Sequence, residues 1–188
     1  MKNQVVNIET LSKETYSEMY VSYYKKLFNY GRKFTEDYGM IEDSIDEVFI
    51  FVWVNRKNLR SIKFPKSYIF SSFRNNIFKK IKSLKLTQFP ETMQETEVQF
   101  SIDSILIQKE TAIALKLQLE KGLHQLTERQ REAIFLRFYE GLSYLEISRI
   151  MDISVKATYK IMARALSGLK DILSVPLILL VVMLKELL

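Results

Sequence analysis

Four side chains near the C-terminal end of the chain, Lys156, Tyr159, Lys160 and Arg164, stand at i, i+3, i+4 and i+8. On a helix that spacing puts them on one face. The face carries three cations, the small Ala163 and no acid, so it can approach phosphates and base edges. A second set lies upstream. Val48 to Pro90 holds no acid but ten cations, among them Arg56, Lys57, Arg60, Lys63, Arg74, Lys79, Lys80 and Lys82, interleaved with nine aromatic residues. That mixture suits single-stranded or melted nucleic acid, whose backbone lies on positive charge while its unstacked bases lie on rings. Phe49, Phe51, Phe70 and Phe78 sit in strongly apolar helical patterns and read better as core, but the cations have no core role. A third set is acidic: Glu36, Asp37, Glu42, Asp43, Asp46 and Glu47.

Other chemistries find little support. With no Cys in 188 residues there is no disulfide, thiolate metal site or cysteine nucleophile. The acidic cluster is the only grouping of carboxylates and has no His beside it; His124, the sole His, reads as structural, and Ser71 and Ser72 lack an activating pattern. No catalytic residue, metal site, cofactor or small-molecule substrate is expected. The N-terminal MKNQVVNIETLSKE has no apolar core of a signal peptide, which makes a cytoplasmic location the expectation.

The elements that must hold these residues are helical. Only 5 Gly and 3 Pro argue against a turn-rich β fold. Helices are expected over about 15–34, 41–54 and 66–84, with Gly39 marking a break between the first two, and from about 102 to 123. Three more follow. Thr127 with Gln130 and Ser143 with Glu146 have capping-box spacing, Ser154 is a third N-cap candidate, and Gly141 stands where a left-handed residue would end a helix. A short helix 144–151, a turn Asp152-Ile153-Ser154 and a helix 155–169 make a helix-turn-helix, the form of a major-groove reader. Thr158, Ile161, Met162, Ala165 and Leu169 form the inner stripe of its last helix. Net charge is +6 over 1–83, −3 over 84–110 and +3 over 111–188. The fold class is therefore all-α: two small helical domains joined by a flexible linker, the C-terminal one a helix-turn-helix (winged-helix-like) DNA-binding domain. Expected boundaries are 1–85, an acidic linker 86–108, 109–174 and a hydrophobic tail 175–188. The tail's LILLVVML run is too short to cross a bilayer, which takes about 20 residues. It fits packing on its own domain, docking of a partner or membrane-surface contact.

Both halves resemble one family, the bacterial RNA polymerase sigma factors of the extracytoplasmic-function (ECF) type. IEDSIDEVFIFVW, Ile41 to Trp53, resembles the family segment that docks on the polymerase clamp, and PKSYIFSSFRNNIFKKIK, Pro65 to Lys82, the helix that opens the −10 element. The helix-turn-helix resembles the domain that reads the −35 element. The resemblance implies that Glu42, Asp43, Asp46 and Glu47 meet core RNA polymerase. Arg74 and Asn75 would then lie near the melted strand, and the loop 55–65 would cup a flipped base. Lys156, Tyr159, Lys160 and Arg164 would face promoter DNA at −35. It also implies an anti-sigma factor as partner and a monomeric free state. The chain departs from the family pattern at Asp46, Ile50, Phe51, Lys79, Asp152 and Ile161, which bears on the promoter sequence preferred. Read from its residues alone, the helix-turn-helix also fits a transcriptional regulator that is not a polymerase subunit. Such a regulator would normally dimerise on paired half-sites, and no heptad seam is visible.

Overall fold

The computed structural model describes residues 12–57, 59, 64–87, 110–173, 180–182 and 184. Every regular element among them is helical, as the composition led us to expect, and none of the described residues forms a strand that could serve the helix-turn-helix as a wing. The chain divides into two compact units, Met1–Gln99 and Phe100–Leu188.

The first unit contains α1 (Lys13–Gly31), α2 (Tyr38–Asn55) and α3 (Pro65–Thr87). The Ser12 hydroxyl caps α1 by accepting the Thr15 N–H at 3.2 Å. The break between α1 and α2 is not at Gly39. Asp37 caps α2, its Oδ1 accepting the Met40 N–H at 2.9 Å, and Gly39 lies inside the first turn. A good N-cap contributes about 1 kcal/mol, enough to offset a helical glycine. Pro65 opens α3, at a position where the missing N–H leaves no helical bond unmade.

Leu27 and Tyr30 of α1, Ile41, Ile45 and Val52 of α2, and Ile69, Phe70, Phe73 and Ile77 of α3 are sealed from solvent. Each such burial is worth roughly 1.5–3 kcal/mol. Gly31 permits the close approach of all three helices: a Cβ there would lie 2.8 Å from Ile41 Cγ2 and 3.0 Å from Phe73 Cζ. Phe49 and Phe70 are core, as expected, but Phe51 and Phe78 are not, being 51% and 39% exposed. The inward stripe of α2 runs through Ile45, Val48, Phe49 and Val52, and Phe51 falls about a quarter turn outside it. Phe78 stands next to buried Ile77 on the rim of α3 and leans on Phe34, ring centroids 4.9 Å apart.

The second unit comprises α4 (Glu110–Gln125), α5 (Glu128–Ile134) continuing into a single π-helical turn (Phe135–Tyr139), α6 (Tyr144–Ile150) and α7 (Val155–Leu173). Both capping boxes form: Thr127 with Gln130 and Ser143 with Glu146. Gly141 adopts φ +68° and ends the π turn as a left-handed residue does. Helices α4, α5 and α6 all pack on α7, which buries Thr158, Met162, Ala165 and Leu169; Ile161, expected among them, is half-buried. In the tail segment Leu180 and Leu184, one helical turn apart, are both sealed from solvent.

Candidate nucleic-acid interface

The turn between α6 and α7 sets which face of α7 looks outward. Asp152 adopts φ +53°, the Ile153 N–H bonds the Ser148 carbonyl at 3.0 Å, and Ser154 Oγ accepts the Ala157 N–H at 3.1 Å. The Thr158 hydroxyl donates to the Ser154 carbonyl at 3.2 Å, satisfying a polar group inside the core. With the inner stripe so fixed, Lys156, Lys160 and Arg164 are exposed. Tyr159 does not cover the core; it is 54% exposed and stacks on Tyr144 of α6 with centroids 4.2 Å apart.

The upstream basic set divides. Asn75, Lys79 and Lys82 lie exposed along one side of α3 with Phe78 between them, and Lys57 is exposed after α2. The Arg74 guanidinium lies over the Phe78 ring at 4.6 Å. Arg56 folds back instead: its guanidinium sits 4.2 Å over Trp53 and its Nη1 donates to the Trp53 carbonyl at 2.6 Å. Lys80 Nζ pairs with Glu47 Oε1 at 3.0 Å, so part of its charge is answered within the unit. Arg60 and Lys63 lie outside the described residues.

The acids on the outer face of α2 are also held. Tyr20 OH donates to Asp46 Oδ1 at 2.8 Å and Tyr24 OH to Glu42 Oε1 at 2.9 Å. Two tyrosines one turn apart on α1 thus match two acids one turn apart on α2. Burial, with the Asp46 bond, pushes the Tyr20 hydroxyl up to about 12; the bond to Glu42 raises that of Tyr24. Glu47 Oε2 accepts from Asn76 Nδ2 at 2.6 Å, and that bond, followed by the one to Lys80, holds the Glu47 carboxyl below the usual range. Asp43 stands exposed among them. Beyond the acids α2 presents an apolar end, with Ile50 and Val54 60% and 67% exposed. Sequence reasoning missed Tyr20 and Tyr24, although their spacing against Glu42 and Asp46 was a usable signal. It also missed Tyr144, which nothing short of the fold brings to Tyr159.

Among the described residues no group of three or more His, Cys, Asp or Glu could hold a metal ion. No helix there is long and apolar enough to cross a membrane. A three-helix unit with an outward cationic and aromatic side, together with a unit built on a helix-turn-helix, defines a helical nucleic-acid-binding protein. Residues 19–87 match the family model for sigma-70 region 2, and residues 116–169 match that for sigma-70, region 4. The chain belongs to the sigma-70 family and is a sigma factor, a subunit that directs promoter recognition. The family expected from the sequence, with both of its regions in order, is borne out. No curated protein matches it. Among solved structures it is similar to CnrH in complex with the cytosolic domain of CnrY, at 16% identity and TM-score 0.57, covering 89% of this chain and 92% of that one. It is also similar to the sigma factor RpoE in complex with the anti-sigma factor NepR from Bartonella quintana, at 18% identity and TM-score 0.59, covering 86% and 98%. At these identities the likeness is one of fold.

Proposed function

We propose that this sigma factor is an alternative one of the ECF type, which joins core RNA polymerase in the cytoplasm and selects promoters without catalysing a reaction itself. The first domain, 1–85, would dock on the polymerase through Glu42, Asp43, Asp46 and Glu47. It would open the −10 element with Lys57, Arg60, Lys63, Arg74, Asn75, Lys79 and Lys82, and with Arg56 and Lys80, which are partly engaged by Trp53 and Glu47 within the unit. The acidic linker 86–108 would tie it to the −35 domain, 109–174, which reads duplex DNA through Lys156, Tyr159, Lys160 and Arg164. The observation that carries this reading is the outward cationic face of α7, fixed in a capped helix-turn-helix, on a chain that also carries region 2. An anti-sigma factor as partner is supported by the two neighbours, each of which is in a complex, one of them with a named anti-sigma factor. Free of both partners the chain would be a monomer.

Adding the purified chain to core RNA polymerase and mapping the 5′ ends of the transcripts tests this. The expected result is a set of start sites absent with core alone and sharing two upstream elements. A chain that core polymerase does not capture, or that changes no start site, overturns the proposal.

A further inference from the structure

Charge explains why α7 would approach DNA, but not the groove beside its cations. A cavity of about 430 Å³ opens between the start of α6 and the flank of α7, lined by Tyr144, Tyr159, Met162, Ala163, Leu166, Ser167 and, as its one charged residue, Lys170. Met162 is buried and closes it from below, whereas Ala163 is exposed. Tyr159 is held in place although it is more than half exposed. Its ring stacks on Tyr144 at 4.2 Å, and the Arg137 guanidinium lies 5.0 Å from the Tyr144 ring. Arg137 is itself tied down, its Nη1 donating to the Leu142 carbonyl at 2.8 Å. Tyr159 is thus the outer end of a ladder anchored in the loop before α6.

The result is a rigid apolar ring on the fifth residue of the recognition helix. It stands beside a small exposed side chain, among Lys156, Lys160, Arg164 and Lys170, in a stretch from Ile153 to Lys170 that contains no acid. Residues near the start of such a helix reach base edges. Lysine and arginine there contact phosphates or the acceptors of guanine, and the one apolar group on any base edge of the major groove is the thymine methyl. From this geometry we propose that Tyr159, propped by Tyr144 and flanked by Ala163, is a specificity-determining residue that takes a thymine methyl of the promoter duplex at the mouth of the groove. The proposal rests on the reading of α7 as the DNA-facing helix.

The test uses full-length protein with core RNA polymerase and duplexes that this complex selects from a random pool. Each thymine of the upstream element is replaced singly by deoxyuracil, which removes the methyl and keeps every hydrogen-bonding group. At one or two positions affinity should fall about three- to five-fold, the worth of one buried methyl. Tyr159→Phe, which keeps the ring, should keep that sensitivity. Tyr159→Ala should bind more weakly and be indifferent to uracil at those positions, and Tyr144→Ala should lie between. Indifference of the unaltered protein to uracil everywhere, or full sensitivity in Tyr159→Ala, overturns the assignment. A triple variant, Lys156→Ala with Lys160→Ala and Arg164→Ala, separates the two levels. If it binds poorly while uracil has no effect, only the role of Tyr159 fails; if it selects and binds promoters as well as the unaltered protein, α7 is not the DNA-facing helix.

Discussion

Tyr20 and Asp46 illustrate how a surface acid acquires a fixed position. A carboxylate on an exposed helix normally samples several rotamers, and holding it costs side-chain entropy. The Tyr20 hydroxyl at 2.8 Å restricts Asp46, and the ring is seated by Phe49 at 5.0 Å between centroids. Because the folded-state pKa of Tyr20 is raised to about 12, its contribution to stability is complete below the ordinary tyrosine value near 10 and is lost as pH rises through about 12. Tyr20→Phe should therefore lower stability at neutral pH by about 1 kcal/mol, and should remove one late-titrating group from the high-pH end of the tyrosinate absorbance titration. An unchanged titration would mean that the Tyr20–Asp46 bond does not form in solution. Asp152 makes the opposite case, a residue that fits its position poorly. Its φ of +53° is a left-handed conformation that favours glycine. Asp152→Gly should raise stability by up to about 1 kcal/mol without weakening promoter binding, since Asp152 precedes the outward face of α7. Thermal melts of the two proteins, with a binding curve for each, check both halves of that expectation.

Helix ends were legible in the sequence because their signals are local. Ser143 and Glu146, Thr127 and Gln130, Gly141 and Ser154 each act within four residues of themselves, and all formed as spacing required. Features decided by tertiary neighbours were not legible. Whether Phe51 and Phe78 were buried depended on which stripe of α2 and α3 faced α1, a choice a quarter turn wide. Gly39 looked like a break because glycine is a poor helix former, yet the Asp37 cap decided where α2 begins. The π turn at Phe135–Tyr139 has no composition signal; there the Glu140 N–H reaches back to the Phe135 carbonyl at 3.1 Å. The outward cations of α7 were legible because no other face of that helix could be apolar enough for the core. The tail lies between these extremes. Its apolar run announced burial but not the partner, and the burial of Leu180 and Leu184 favours packing within the chain. Deleting 175–188 should then cost several kcal/mol, roughly 1.5–3 for each leucine, and lower the melting temperature or solubility of the second unit. Unchanged melting with altered response to an inhibitor would assign the segment to a partner instead.

For the whole molecule the governing quantity is length. Two promoter elements about two helical turns apart are separated by roughly 70 Å. A flexible tether of about 25 residues typically spans some 25–30 Å and reaches about 80 Å only when fully extended. Were the stretch between α3 and α4 such a tether, it could join both elements unaided only by giving up most of its chain entropy. Its excess of acids would also repel it from DNA rather than lay it along the duplex. The spacing must then be imposed by a rigid body that grips both units, and core RNA polymerase would be that body, holding the first unit by the acids of α2. The free chain should therefore bind promoter DNA one domain at a time, weakly, with little preference for element spacing and with an affinity that falls steeply with salt. Each of Lys156, Lys160 and Arg164 replaced by Ala should make the slope of log affinity against log salt shallower by about one if it contacts a phosphate. With core polymerase present, changing the spacing by half a helical turn should abolish selection that the free chain never shows. Anisotropy titrations over a salt series, with and without polymerase, measure both effects. Nanomolar and spacing-selective binding by the chain alone would mean that the two units hold their separation themselves.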